Sequence, residues 1–179
     1  MAQTTFQGPV RSLGGFYTQG PATVVEVTSS ASLTPTAYAG RIISVGGSLA
    51  ANVVLTLPSI NVSTNSITSG PGQDPNTLNN EGVVYTIWVP TTISTSSLKI
   101  GTDGTDKFVG SLLSVDTDSS GAMVGFTAAS SNDYINLNGT TTGGVAGTWI
   151  QIVAIAANKY MVTGVVLGSG SVATPFADS

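Results

Sequence analysis

The clearest pattern in the chain is the run at residues 83–89, Val-Val-Tyr-Thr-Ile-Trp-Val, closed by Pro90. Strand side chains alternate, so Val83, Tyr85, Ile87 and Val89 share one face and Val84, Thr86 and Trp88 the other. All seven residues are β-branched or aromatic, types that lose side-chain freedom in a helix and pack well on a pleat. Both faces carry bulk. The run therefore reads as a central strand, covered on both sides by a second sheet or a neighbouring subunit. Residues 53–57 (Val-Val-Leu-Thr-Leu) form the matching run, with Val53, Leu55 and Leu57 on one face and Pro58 as the stop.

The same reading predicts strands at 23–27, 41–45, 98–100, 108–115, 122–127 and 134–137. A final hairpin pairs 148–156 with 160–167 and turns at Asn158-Lys159. Residues 29–39 read as a loop holding Pro35, and 138–147 as a flexible glycine-rich turn. No helix longer than a turn or two is predicted, and no repeat of solenoid length is visible. The expected fold is all-β: a single antiparallel sandwich or barrel-like domain of about ten short strands. Residues 1–21 precede it as an extended arm, 59–81 interrupt it as a long polar insert, and 168–179 follow as a polar, frayed tail.

Composition narrows the functional classes. Only 8% of residues are charged, whereas serine and threonine number 47 of 179. Typical soluble domains carry about 25% charged residues, so this surface is built of hydroxyls, amides and glycine. A chain that omits the charges that keep monomers apart is expected to cover its surface with partners. The net charge is −4 and the five basic residues form no cluster, which argues against nucleic acid. The most apolar window, 145–167, is interrupted by Gln151, Asn158, Lys159 and Thr163 and reads as a hairpin, not a membrane span. The N-terminus has neither a basic start nor an apolar stretch, so no secretory signal is expected.

Candidate chemistry is sparse. The chain has no cysteine and no histidine, which removes thiolate sites and the commonest general base and metal ligand. No enzyme activity, cofactor or metal is expected. Asp116-Thr117-Asp118-Ser119-Ser120-Gly121 resembles the start of a calcium loop, but Thr127 stands where a bidentate glutamate belongs, so it reads as a polar turn. Asp103 and Asp106 fall in another turn. Trp88, Trp149, Tyr85, Tyr134 and Tyr160 can in principle form a sugar-stacking platform. Of these only Trp149, beside a glycine-rich loop, looks placed for it; aromatics on strands ordinarily pack the core.

The order Gly40-Arg41-Ile42-Ile43-Ser44-Val45, Leu55-Thr56-Leu57-Pro58, Gly82-Val83-Val84-Tyr85-Thr86-Ile87 and a closing tryptophan hairpin at 148–167 is similar to small β modules of tailed-phage virions, most like capsid decoration (cement) proteins. The resemblance implies a non-enzymatic virion component on the capsid exterior, assembled in the host cytoplasm. It implies a homotrimer that stabilises capsomer contacts, with the major capsid protein and itself as partners and neither nucleic acid nor membrane. Phe6, Arg11, Phe16 and Tyr17 of the arm are the expected capsid-binding residues. A head- or tail-fibre module binding a host glycan, and a bacterial surface subunit, are the alternatives.

Overall fold

In a computed structural model the chain is described at residues 13, 20–49, 51–62, 79–118 and 121–178. These residues form twelve strands in two sheets. The strands are β1 Val24–Glu26, β2 Ala31–Ser32, β3 Ile42–Ser44, β4 Val53–Thr56, β5 Val84–Trp88 and β6 Leu98–Gly101. They continue with β7 Lys107–Asp116, β8 Met123–Thr127, β9 Tyr134–Leu137, β10 Trp149–Ala156, β11 Lys159–Gly168 and β12 Phe176–Ala177. The seven-stranded sheet has the order β1-β3-β5-β10-β11-β7-β8, and the five-stranded sheet β12-β9-β6-β4-β2. One hydrophobic cluster draws on both, with Ile43, Tyr85, Ile87, Ile150, Ile152 and Leu112 from the first and Leu55, Leu98, Ile100, Ile135 and Leu137 from the second.

The predominantly β character agrees with the sequence reading, but the pairing does not: both sheets are mixed, not antiparallel. From β1 to β6 the chain alternates between the sheets, and each strand lies parallel to the previous one in its own sheet. β1, β3 and β5 stack in parallel, as do β2, β4 and β6. This half is a coil of three turns. Val27, Val45 and Val89 leave the first sheet at equivalent places and are all buried; Val27 N–H donates to the Ser44 carbonyl and Val45 N–H to that of Trp88. Leu33 and Leu57 repeat the arrangement on the second sheet, donating to the carbonyls of Thr56 and Gly101. The repeat escaped the sequence reading because its turns differ in length. The segment 29–39, expected as loop, contains β2 and a four-residue helix, Pro35–Tyr38.

The second half is built largely from hairpins. β10 and β11 pair in antiparallel fashion and turn at Asn158, which adopts φ 59°, a left-handed conformation asparagine tolerates. β11 then runs parallel to β7 over ten residue pairs, from Lys159↔Lys107 to Gly168↔Asp116. The C-terminal residues are not a frayed tail: Gly168 ends β11, β12 pairs with β9, and Pro175 and Phe176 are buried. An apolar anchor at Pro175 and Phe176 outweighs the polarity around it. Nor is the glycine-rich turn at 138–147 loose. The Asn138 side-chain oxygen accepts from the amides of Thr140 and Thr142, and Gly139, at φ 77°, lies so close to the Ile93 carbonyl that no Cβ fits.

Candidate docking face on the seven-stranded sheet

The central run behaves as its alternation demands on one side only. Tyr85, Ile87 and Val89 are fully buried, Val83 partly so. On the opposite side Val84 and Thr86 are half-covered, and Trp88 is 37% exposed. β5 is thus central in its sheet but, among the described residues, fully covered on one face alone.

Strand register extends that open face across the sheet. Residues paired across strands point the same way. Trp88 is opposite Trp149, Trp149 opposite Val165, and Val165 opposite Leu113. One apolar row therefore crosses four strands, and its members are among the exposed large hydrophobic residues, Trp149 at 41%. The next row, two residues along, is Thr86, Gln151, Thr163 and Ser111. Beyond it lies a second apolar row, Val84, Val153, Met161 and Val109. Charges sit only at the margins: Glu26 on β1, and Lys107 and Lys159 at one end of β7 and β11. Lys107 there bonds the buried Asp133 at 2.8 Å.

The two indoles are close neighbours for a backbone reason. Val89 N–H donates to the Thr148 carbonyl and Ala154 N–H to that of Val83. The hydrogen-bonded pairs of the β5–β10 ladder are therefore the odd residues of β5, and Trp88–Trp149 is a non-hydrogen-bonded pair. Such pairs bring Cα atoms to about 4.5 Å and side chains closest together.

The aromatic candidates separate accordingly. Tyr85 and Tyr160 are interior; the Tyr160 hydroxyl donates to the Pro58 carbonyl at 2.6 Å, tying β11 to the end of β4. Burial pushes both phenols far above the usual tyrosine range, and their proximity, with Asp106 and Asp103 nearby, adds to this for Tyr160. Tyr134 is half-buried on the other sheet with Lys99 over its ring, 5.1 Å from the centroid. Trp149 lies on the open face as the sequence suggested. Trp88 was missed as its partner; the signal was its parity, opposite to Tyr85 and Ile87.

The acidic candidates hold turns. Asp103 accepts from the amides of Thr105 and Asp106 and from the Ser59 hydroxyl. Burial works against its charge, but these donors, led by the Asp106 amide, hold its carboxyl below the ordinary value. Burial pushes Asp106 upward, reinforced by the charge of Asp103 and opposed by the Ile60 amide it accepts from. Asp116 accepts from the Asp118 amide, and Asp118 from that of Gly170 across the loop. Among the described residues no group of three acidic, histidine or cysteine side chains gathers as a metal site. Residues 119 and 120 of that turn lie outside the described residues, as do 63–78 of the insert and the arm residues Phe6, Arg11, Phe16 and Tyr17. The neck of the insert is closed: Asn80 accepts from the Asn61 amide and donates to the Ser59 carbonyl. No protein-family model, curated protein or solved structure matches the chain.

Proposed function

We propose that this chain is a non-enzymatic structural protein of a virion, a capsid decoration protein that assembles as a homotrimer and binds the major capsid protein through residues 1–21. One observation carries the self-assembling part of this reading: the unguarded edge formed by β8. Asp116 N–H donates to the Ala122 carbonyl and Ala128 N–H to that of Gly110. The even-numbered residues of β8 therefore bond inward to β7, and the N–H and C=O groups of Met123, Gly125 and Thr127 point out of the sheet. Met123 is 69% exposed, and Val124 is exposed beside it. The strand contains no lysine, proline or other edge protection. Such an edge is a liability on a free monomer and a ready contact within a permanent assembly.

Two mixed sheets around one core suit a compact sandwich, a rigid body for bracing neighbouring capsomers. The arm brings Phe6, Phe16, Tyr17 and Arg11 to the capsid. Three arms on one trimer engage together, so that weak single attachments gain a high effective concentration. The test has two arms. Light scattering should give a trimer for the intact chain and for a variant lacking residues 2–20, whereas only the intact chain should saturate undecorated particles. Met123→Lys with Val124→Lys should dissociate the trimer. A monomeric intact chain refutes the self-assembly, and unchanged particle binding by the truncated chain refutes the role of the arm.

A further inference from the structure

We propose that the Trp88–Trp149 pair and the polar row beside it form a binding site for a neutral polysaccharide. A pyranose ring presents two kinds of surface. It has an apolar C–H face, which stacks on an indole, and a rim of hydroxyls that exchange hydrogen bonds with uncharged donors and acceptors. The open face of the seven-stranded sheet offers both in register. Trp88 and Trp149 stand side by side as a non-hydrogen-bonded cross-strand pair. Thr86 and Gln151 follow two residues along their own strands, and Thr163 and Ser111 continue that row. The rows are about 7 Å apart, the scale of one sugar ring. Among the described residues, no hydrogen bond within the chain engages the side chains of these four polar residues.

Three observations favour this ligand over a second copy of the chain or a charged partner. The central rows carry no charge, so nothing there selects a phosphate or a sulfated chain. Both indoles are more than half covered by their neighbours, so their planes are set before a ligand arrives and little side-chain freedom is lost on binding. The polar row lies between two apolar rows. Pressed against a copy of the same apolar-rich face, its hydroxyls and amide would be buried without assured partners, whereas a sugar supplies hydroxyls along its length. The inference does not rest on the virion assignment or on the β8 edge, and the purified chain tests it alone.

Trp88 and Trp149 are the only tryptophans in the sequence, so intrinsic fluorescence reports this site directly. Electrophoresis in gels containing hydroxyethylcellulose, glucomannan, galactomannan, arabinogalactan or dextran should show retardation by at least one, and the same polysaccharide should shift the tryptophan emission saturably. Trp88→Ala and Trp149→Ala should each weaken retardation by about tenfold with little change in melting temperature. Thr86→Ala with Gln151→Ala, which leaves both indoles in place, should weaken it while preserving the emission spectrum of the free protein. Retardation by none of the five overturns the proposal, as does retardation that survives loss of both tryptophans. Dissociation of an oligomer by Trp149→Glu, seen by sedimentation, would assign the face to subunit contact and overturn it equally. A trimer lost only through the β8 substitutions leaves the sugar site standing.

Discussion

The outward faces of the two sheets are made from the same alternation and end in opposite states. On the five-stranded sheet the outward rows are Val54, Lys99 and Asn136, and then Ser32, Thr56, Gly101, Tyr134 and Ala177. That surface is finished within the chain: Lys99 sits over the Tyr134 ring, and the ring lies flat across Gly101, where a Cβ would run into it. On the seven-stranded sheet the outward rows are apolar, polar and apolar, and Trp88, Trp149, Val165 and Leu113 each stay more than a third exposed. Gly125, opposite Leu113 in that row, has open space where a Cβ would go. The lesson is that apolar content in a strand does not say whether a face is core or contact. The neighbours in register decide it.

The largest effect that can break this comparison separates adjacent residues of β5. Ile87→Asp places a charge among fully buried side chains and should prevent folding, since an uncompensated buried charge costs about 3–5 kcal/mol or more. Trp88→Asp, one position away, should leave a folded protein with a near-native circular dichroism spectrum. If both unfold, the open face is not open.

Next come the two glycines. Gly101→Val forces the Tyr134 ring to move and should destabilise by about 1–3 kcal/mol in urea unfolding. Gly125→Val meets nothing and adds a β-branched residue to a strand, so its effect should stay within about 1 kcal/mol and can be stabilising. Equal losses at the two sites would mean that the faces are equally crowded.

Smaller still, Lys99→Ala should cost about 0.5–1 kcal/mol through the lost cation–ring contact. A double-mutant cycle with Tyr134→Leu should recover that coupling. A coupling of zero would leave Tyr134 held by packing on Gly101 alone.

The last prediction concerns the turn between β6 and β7. The carboxyl of Asp106 is raised in the fold, so the contribution of this group is present below the ordinary carboxylate range and is lost as pH rises through its folded value. Asp106→Asn keeps an acceptor for the Ile60 amide and removes the ionisation. Its melting temperature should gain on the wild type between about pH 4 and neutrality. Asp103 has the opposite sign: its contribution is present above the ordinary value and is lost as pH falls through the lowered one. Asp103→Ala should therefore be most harmful at neutral pH and converge on the wild type in acid. Parallel pH profiles for wild type and both variants would remove these two carboxylates from the stability of the turn.

Much of the fold was legible because the relevant physics is local. The alternation at Val53, Leu55 and Leu57 placed β4 and named its buried face; the run ending at Pro90 placed β5 but was read as covered on both faces, whereas only the Tyr85, Ile87 and Val89 side is buried. Asn158 marked the turn of the closing hairpin, because few residues accept its backbone conformation. The site was half legible. Trp149 drew notice beside the glycine-rich loop, but Trp88 lay in a run whose bulk on both sides suggested a buried strand, and nothing in the sequence says that two distant tryptophans share a row. The acidic turns read from the sequence are turns in the structure, where oxygens of Asp103, Asp116 and Asp118 accept from nearby amides. The tail was misread because Pro175 and Phe176 are a short apolar signal in a polar stretch, and their value depends on a groove that exists only after β9 is in place.

By itself the sequence determined that this chain makes strands, where most of them lie and which side chains of each point the same way. Those properties follow from β-branched and aromatic residues on a two-residue period, and from glycine, proline and asparagine at the turns. The tertiary structure alone decided that β1, β3 and β5 run parallel, that β11 runs along β7, that the C-terminus returns to β9, and that Trp88 meets Trp149 on an open face. Pairing partners are chosen by closure over long stretches of chain, where many registers satisfy the same alternation. Only the arrangement that buries Val27, Val45 and Val89 together with Leu33 and Leu57 in one core fixes which strands become neighbours, and so which faces remain for a partner.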